Sequence, residues 1–66
     1  MDRIDFAQQL RARRLERGLE QTHVARAMGV TQAAVGQWER GRCLPRPATL
    51  ELLEKFGLIE KEDADA

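Results

Sequence analysis

Apolar residues return along this chain every three to four positions, the period of a helix buried on one side. Four such blocks are separated by glycine or proline. The first, from about Asp5 to Arg17, puts Phe6, Leu10, Arg13 and Arg14 on one side with Ala7 beside them. Asp2 or Asp5 stands near its start, where a carboxylate suits N–H groups that have no carbonyl partner. Gly18 is placed to end it, Leu19 to pack back, and Leu15 points away from the apolar side. The second block, about Gln21 to Met28, carries a stripe of Val24, Ala25 and Met28. After Gly29, only Val30 and Thr31 intervene before the third begins.

The third block, Thr31 to Arg40, divides into two unlike faces when wound at about 100° per residue. Val30, Ala34, Val35 and Trp38 fall within about 140° of arc and form a core-facing stripe. Gln32, Ala33, Gly36, Gln37 and Arg40 fall within about 140° on the other side. That outer face holds amides, a guanidinium and two minimal side chains, where a solvated helix usually shows Glu and Lys. Such a face suits entry into a DNA major groove. Gln pairs with adenine N6 and N7, Arg with guanine O6 and N7, and Ala touches a thymine methyl. An ordinary amphipathic helix is the plain alternative. Thr31 is a suitable N-cap.

A loop, Arg42-Cys43-Leu44-Pro45-Arg46, is stiffened by proline and leads to Pro47 at the first position of a fourth helix. That helix, about Pro47 to Phe56, is predicted to bury Leu50, Leu53 and Phe56, with Leu52 at the margin. Leu58 and Ile59 follow Gly57 and are expected to pack once more on the core. Residues 60–66 read as an acidic, solvated tail, so the domain is expected to span 1–59. The fold class is all-α, a compact bundle of four to five helices in which a short helix, a three-residue turn and a second helix make a helix-turn-helix.

Composition limits the remaining choices. A single domain of 66 residues hides only about 60% of its unfolded surface, so it depends on close helix packing or on dimerisation. No apolar run approaches the about 18 residues of a membrane span, and no signal peptide is expected at the start. One cysteine, Cys43, has no internal disulfide partner, which favours a reducing, cytoplasmic setting. Zero net charge conceals an asymmetry: residues 1–46 hold nine arginines against five acids, and residues 47–66 hold two lysines against six. The basic part can face phosphates. Without serine, and with one His and one Cys, the chain offers no nucleophile-base set and no metal site, so neither enzyme activity nor a cofactor is expected.

These residues resemble the Cro and lambda-repressor-like helix-turn-helix domains, often called the XRE family. The resemblance rests on Arg14, Gly18-Leu19 with Gln21, Val24-Ala25, Gly29-Val30-Thr31, Val35, Gln37-Trp38-Glu39-Arg40-Gly41, and Pro45 followed by Leu50. It implies a third helix lying in the major groove with Gln32, Ala33, Gly36 and Gln37 toward the bases. It implies backbone contacts from Gln21, Thr31, Arg40, Arg42 and Arg46, with Gln21 also bracing the recognition helix. Arg14 and Glu39 correspond to a partly buried ion pair between the first and third helices. Glu20 stands where relatives carry Ser or Thr and is expected to cap poorly, while His23 is expected to be an exposed second-helix residue or a phosphate neighbour.

What the resemblance implies is a transcriptional regulator, Cro- or repressor-like, binding double-stranded DNA at a palindromic operator as a homodimer. It would be cytoplasmic and nucleoid-associated when bound. Relatives often dimerise through an apolar fifth helix, which residues 60–66 do not supply, so dimerisation is expected either to use Leu58, Ile59 and the fourth-helix region or to be weak. Two other readings use the same residues. One is an antitoxin that binds DNA and a toxin partner. The other is a protein-interaction module that ignores DNA and docks a partner through Leu15, Leu58 and Ile59.

Overall fold

A computed structural model describes residues 2–60, and these form four helices. They are α1 (Arg3–Glu16), α2 (Gln21–Met28), α3 (Gln32–Glu39) and α4 (Pro47–Lys55). Among the described residues none of the helices is long and apolar enough to cross a membrane. The all-α, helix-turn-helix bundle expected from the sequence is the observed architecture. Beyond Glu60, the acidic segment lies outside the described residues.

Two of the helices, α1 and α3, begin where a side chain accepts from one of their first N–H donors. Asp2 caps α1, its carboxylate accepting from the Ile4 N–H at 2.7 Å. Thr31 caps α3, its hydroxyl accepting from the Ala34 N–H at 3.1 Å. Glu20, expected to cap poorly, makes no side-chain cap of its own, and the closing bond comes from His23, whose Nδ1 accepts from the Glu20 N–H at 3.0 Å. His23 thus closes the start of α2 in the place usually taken by Glu or Gln. Pro47 opens α4, as its fixed φ and missing N–H suit that position.

The core lies where the four stripes meet. Phe6 and Leu10 from α1, Val24, Ala25 and Met28 from α2, Val35 and Trp38 from α3 and Leu53 from α4 are buried together with Leu58 and Ile59. Full burial of a large apolar side chain is worth about 1.5–3 kcal/mol, so a core of ten residues suffices for a domain this small only if few positions are wasted. Helix α3 packs against both α1 and α2, which holds it by its inner face and leaves the other free.

The end of α4 departs from the sequence reading. Phe56 was expected in the core with Leu50 and Leu53, but it is half exposed, at 50%. Residues spaced i, i+3, i+6 drift by about 60° per step around a helix, which carries Phe56 about 120° away from Leu50. The chain instead reverses at Gly57, whose φ of +75° is the left-handed conformation glycine adopts at little cost. The Leu58 N–H donates to the Leu53 carbonyl at 2.9 Å and the Gly57 N–H to Glu54 at 3.0 Å, a Schellman closure. This reversal drives Leu58 and Ile59 into the space Phe56 does not fill, leaving them 3% and 1% exposed. They are core residues and present no surface for dimerisation or docking, which removes two of the three anchors assigned to an interaction module. Leu15 remains exposed.

Candidate nucleic-acid interface

A polar chain runs from the interior of the bundle to the start of α3. Its buried end is the ion pair expected between Arg14 and Glu39. The Arg14 Nε donates to Glu39 Oε2 at 2.6 Å and Nη2 donates to Oε1 at 2.9 Å. The third guanidinium nitrogen, Nη1, donates to the Leu19 carbonyl at 2.9 Å. Two parallel bonds to one carboxylate fix both side chains, and both are largely shielded from water. The hydrogen bond to Glu39, reinforced by its charge, holds Arg14 above its ordinary arginine value although burial works against the cation. The pair therefore bolts α1 to the last turn of α3 as a permanent ion pair.

Glu39 has a second partner. Gln21, the first residue of α2, donates from Nε2 to Glu39 Oε1 at 3.2 Å. A carboxylate paired with arginine only accepts, so the amide group of Gln21 must turn its nitrogen inward and its oxygen outward. That oxygen accepts from Gln32 Nε2 at 3.3 Å, at the first residue of α3. Four side chains thus connect α1, α2 and α3, and the last of them is exposed on the outer face.

The remaining residues assigned to base edges do not all lie alike. Gln32 and Ala33 are exposed and Gln37 is half-buried, all on the helix side away from Val35 and Trp38. Gly36 is buried instead of open. A Cβ there would lie 3.8 Å from Arg40 Nη2 and 3.8 Å from Gln21 Oε1, so these two side chains cover it. Arg40 is folded back along α3, an arrangement that spacing alone does not reveal.

The residues assigned to the phosphate backbone sit around this face. Thr31, Arg40, Arg42 and Arg46 are exposed and Gln21 is half-buried. The α3–α4 loop is held from below, with Pro45 buried and the Arg42 carbonyl accepting from Arg3 Nη1 at 3.1 Å. The guanidinium groups of Arg42 and Arg46 can therefore vary in direction while the backbone that bears them stays put. At the start of α4, Arg46 makes no side-chain cap, so N–H groups of its first turn lack helical partners and can meet an anion. Thr49, half-buried in that turn, was not singled out by the sequence. An open groove of about 490 Å³, with Met28, Trp38, Pro45, Arg46 and Thr49 in its walls, separates the helix-turn-helix from this loop.

Two other arginines serve the fold. Arg17 Nη1 donates to the Phe56 carbonyl, Arg17 Nη2 to Gly57 at 3.2 Å, and Arg13 Nη1 to Gly57 at 3.4 Å. They bind the C-terminal end of α4, where unpaired carbonyls favour cations. Arginine number in the basic half therefore overstates the charge available to a ligand. Among the described residues no group of three or more His, Cys, Asp or Glu side chains is placed to hold a metal ion.

No match was found among curated proteins or among solved structures. A family model described as a helix-turn-helix domain matches residues 5–61, nearly the whole chain. With the bundle, the three-residue turn between α2 and α3, and the outward start of α3 in place, the chain belongs to the helix-turn-helix domain family, in keeping with its resemblance to Cro and lambda-repressor-like DNA-binding domains.

Proposed function

We propose that this protein is a sequence-specific regulator of transcription, Cro- or repressor-like, that binds a palindromic operator as a homodimer. Helix α3 enters the major groove, and the two-fold axis of the dimer sets half-sites about 34 Å apart. Regulation follows from occupying a promoter, with recognition as the only chemistry required.

The observation that carries this reading is the oriented amide at the start of α3. Glu39 fixes Gln21, and the outward Gln21 oxygen takes one Nε2 hydrogen of Gln32. Gln32 keeps its Oε1 and its other Nε2 hydrogen, an acceptor beside a donor. Adenine presents the complement, N6–H₂ beside N7, in the major groove. Holding the amide in advance lowers the ordering cost of that pairing. Ala33, next to it, suits a thymine methyl, and Gln37 extends the reading surface one turn along. Thr31, Arg40, Arg42 and Arg46, with Gln21 through its remaining Nε2 hydrogen, supply phosphate contacts, which set position without reading sequence.

The experiment is a selection from random duplexes followed by titration of wild type and Gln32→Ala on the selected and on random DNA. Loss of preference at one A·T pair per half-site is the expected outcome. Equal weakening on both DNAs would reject base reading by Gln32, and absence of salt-sensitive binding by wild type would reject the whole assignment.

A further inference from the structure

Two large apolar side chains remain uncovered on α4, Leu52 at 38% and Phe56 at 50% exposure. With Ala48 they lie within about 80° of arc, a stripe about 12 Å long on the side of α4 turned away from Leu50. All three are exposed, and so are Glu51 and Lys55, which run along one edge of the stripe. The far end of the stripe is fixed, because Arg17 and Arg13 grip the Phe56 and Gly57 carbonyls. Nothing in the core, the polar chain or the α3 face uses these residues.

We infer that this face of α4 is the surface on which a second copy of the chain docks, antiparallel, about a two-fold axis passing through Leu52. This rests on the operator reading above and names the surface that reading requires. The stripe is self-complementary in that register. Leu52 meets Leu52 of the second copy, and each Phe56 covers the small Ala48 opposite, large against small. In an antiparallel two-fold pair, like edges meet. Lys55 of each copy therefore lies beside Glu51 of the other, giving two equivalent Lys–Glu ion pairs. A parallel pairing would bring that charged edge against the side of α4 that packs on the bundle, and both pairs would be lost.

The same geometry limits the strength of the contact. A helix of nine residues offers far less than the about 800 Å² per partner that stable dimers bury. The chain is therefore monomeric at low concentration and pairs on DNA, where adjacent half-sites raise the effective concentration of the second copy.

The test compares duplexes carrying one half-site and two. Leu52→Glu is expected to bind a single half-site as wild type does while losing cooperativity on the palindrome, so half-site binding doubles as the check that the variant folds. Glu51→Lys and Lys55→Glu should each lower cooperativity up to about fivefold, the scale of an exposed pair, and the double exchange should restore it. Independently of DNA, the Cys43→Ala, Leu52→Cys variant should oxidise to a covalent dimer at high concentration, while Cys43→Ala, Thr22→Cys should not. If Leu52→Glu keeps full cooperativity, or the Leu52→Cys pair fails to cross-link, the surface assignment is overturned and DNA reading by α3 still stands. If wild type ignores DNA yet Leu52→Cys cross-links, the operator reading fails and the α4 surface stands. Docking of a different protein on this face in preference to a second copy would also overturn it.

Discussion

Gln21 Oε1 accepts a hydrogen bond from Gln32 Nε2 at 3.3 Å, which ties the first residue of α2 to the first residue of α3. The two side chains lie on either side of the turn that defines the motif, and the bond transmits the rigidity of the Arg14–Glu39 pair to an exposed amide.

Replacing Gln21 therefore affects two properties at once. Gln21→Ala is expected to cost about 0.5–1.5 kcal/mol of stability, the usual net worth of a hydrogen bond of this kind. It should also weaken cognate DNA more than random DNA, because Gln32 loses its fixed direction. Gln21→Glu should be worse than Ala in a thermal melt, since it sets a second carboxylate against Glu39. A Gln21→Ala variant that loses cognate and random binding equally would show that Gln21 acts on phosphate alone.

Arg14 and Glu39 should tolerate joint replacement better than single replacement. Glu39→Ala or Arg14→Met leaves a shielded charge unpaired, at a cost of about 3–5 kcal/mol. A domain of this size has about 3–10 kcal/mol in total, so the single variants are expected to be largely unfolded in urea concentrations that wild type survives. Arg14→Met with Glu39→Leu should recover most of the loss. The raised Arg14 value means its contribution is full at all pH below the ordinary arginine range and is lost only as pH climbs through the raised one. Between pH 6 and about 10, urea midpoints should show no loss traceable to deprotonation of Arg14.

Gln37→Ala and Arg42→Ala should separate reading from gripping. The first is expected to weaken specific binding by about 1–3 kcal/mol and relax preference at one base pair. The second should weaken all sequences alike and flatten the salt dependence by about one unit of slope. Gel-shift titrations at several salt concentrations distinguish them.

Two glycines make opposite predictions. Gly36 lies within a helix with room for a methyl, its nearest neighbours at 3.8 Å being the ends of side chains. Gly36→Ala is expected to stabilise by about 0.5–1 kcal/mol, seen as a melting temperature higher by several degrees. Gly57→Ala forces a Cβ to 2.7 Å from Arg17 Nη2 at a φ of +75°, and should destabilise by about 1–3 kcal/mol as the clamp on α4 is lost. A melt in which both variants shift in the same direction would contradict these placements.

The sequence by itself determined the helices, their stops and the two-faced character of α3. Those features rest on local rules: a 3.6-residue period, a capping side chain, a glycine at a reversal. For the same reason the burial of Val35 and Trp38 followed from position along the chain, whereas the Arg14–Glu39 pairing, between residues 25 apart, was implied only by the family resemblance. Only the tertiary structure decided which groups meet when helices cross. It turned Gly57 so that Leu58 and Ile59 displaced Phe56 from the core, spent Arg13 and Arg17 on the end of α4, covered Gly36 with Arg40, and aimed the Gln32 amide through Gln21. Each of these outcomes depends on distances between residues far apart in the chain, and the periodicity of a single helix carries no information about what lies across from it.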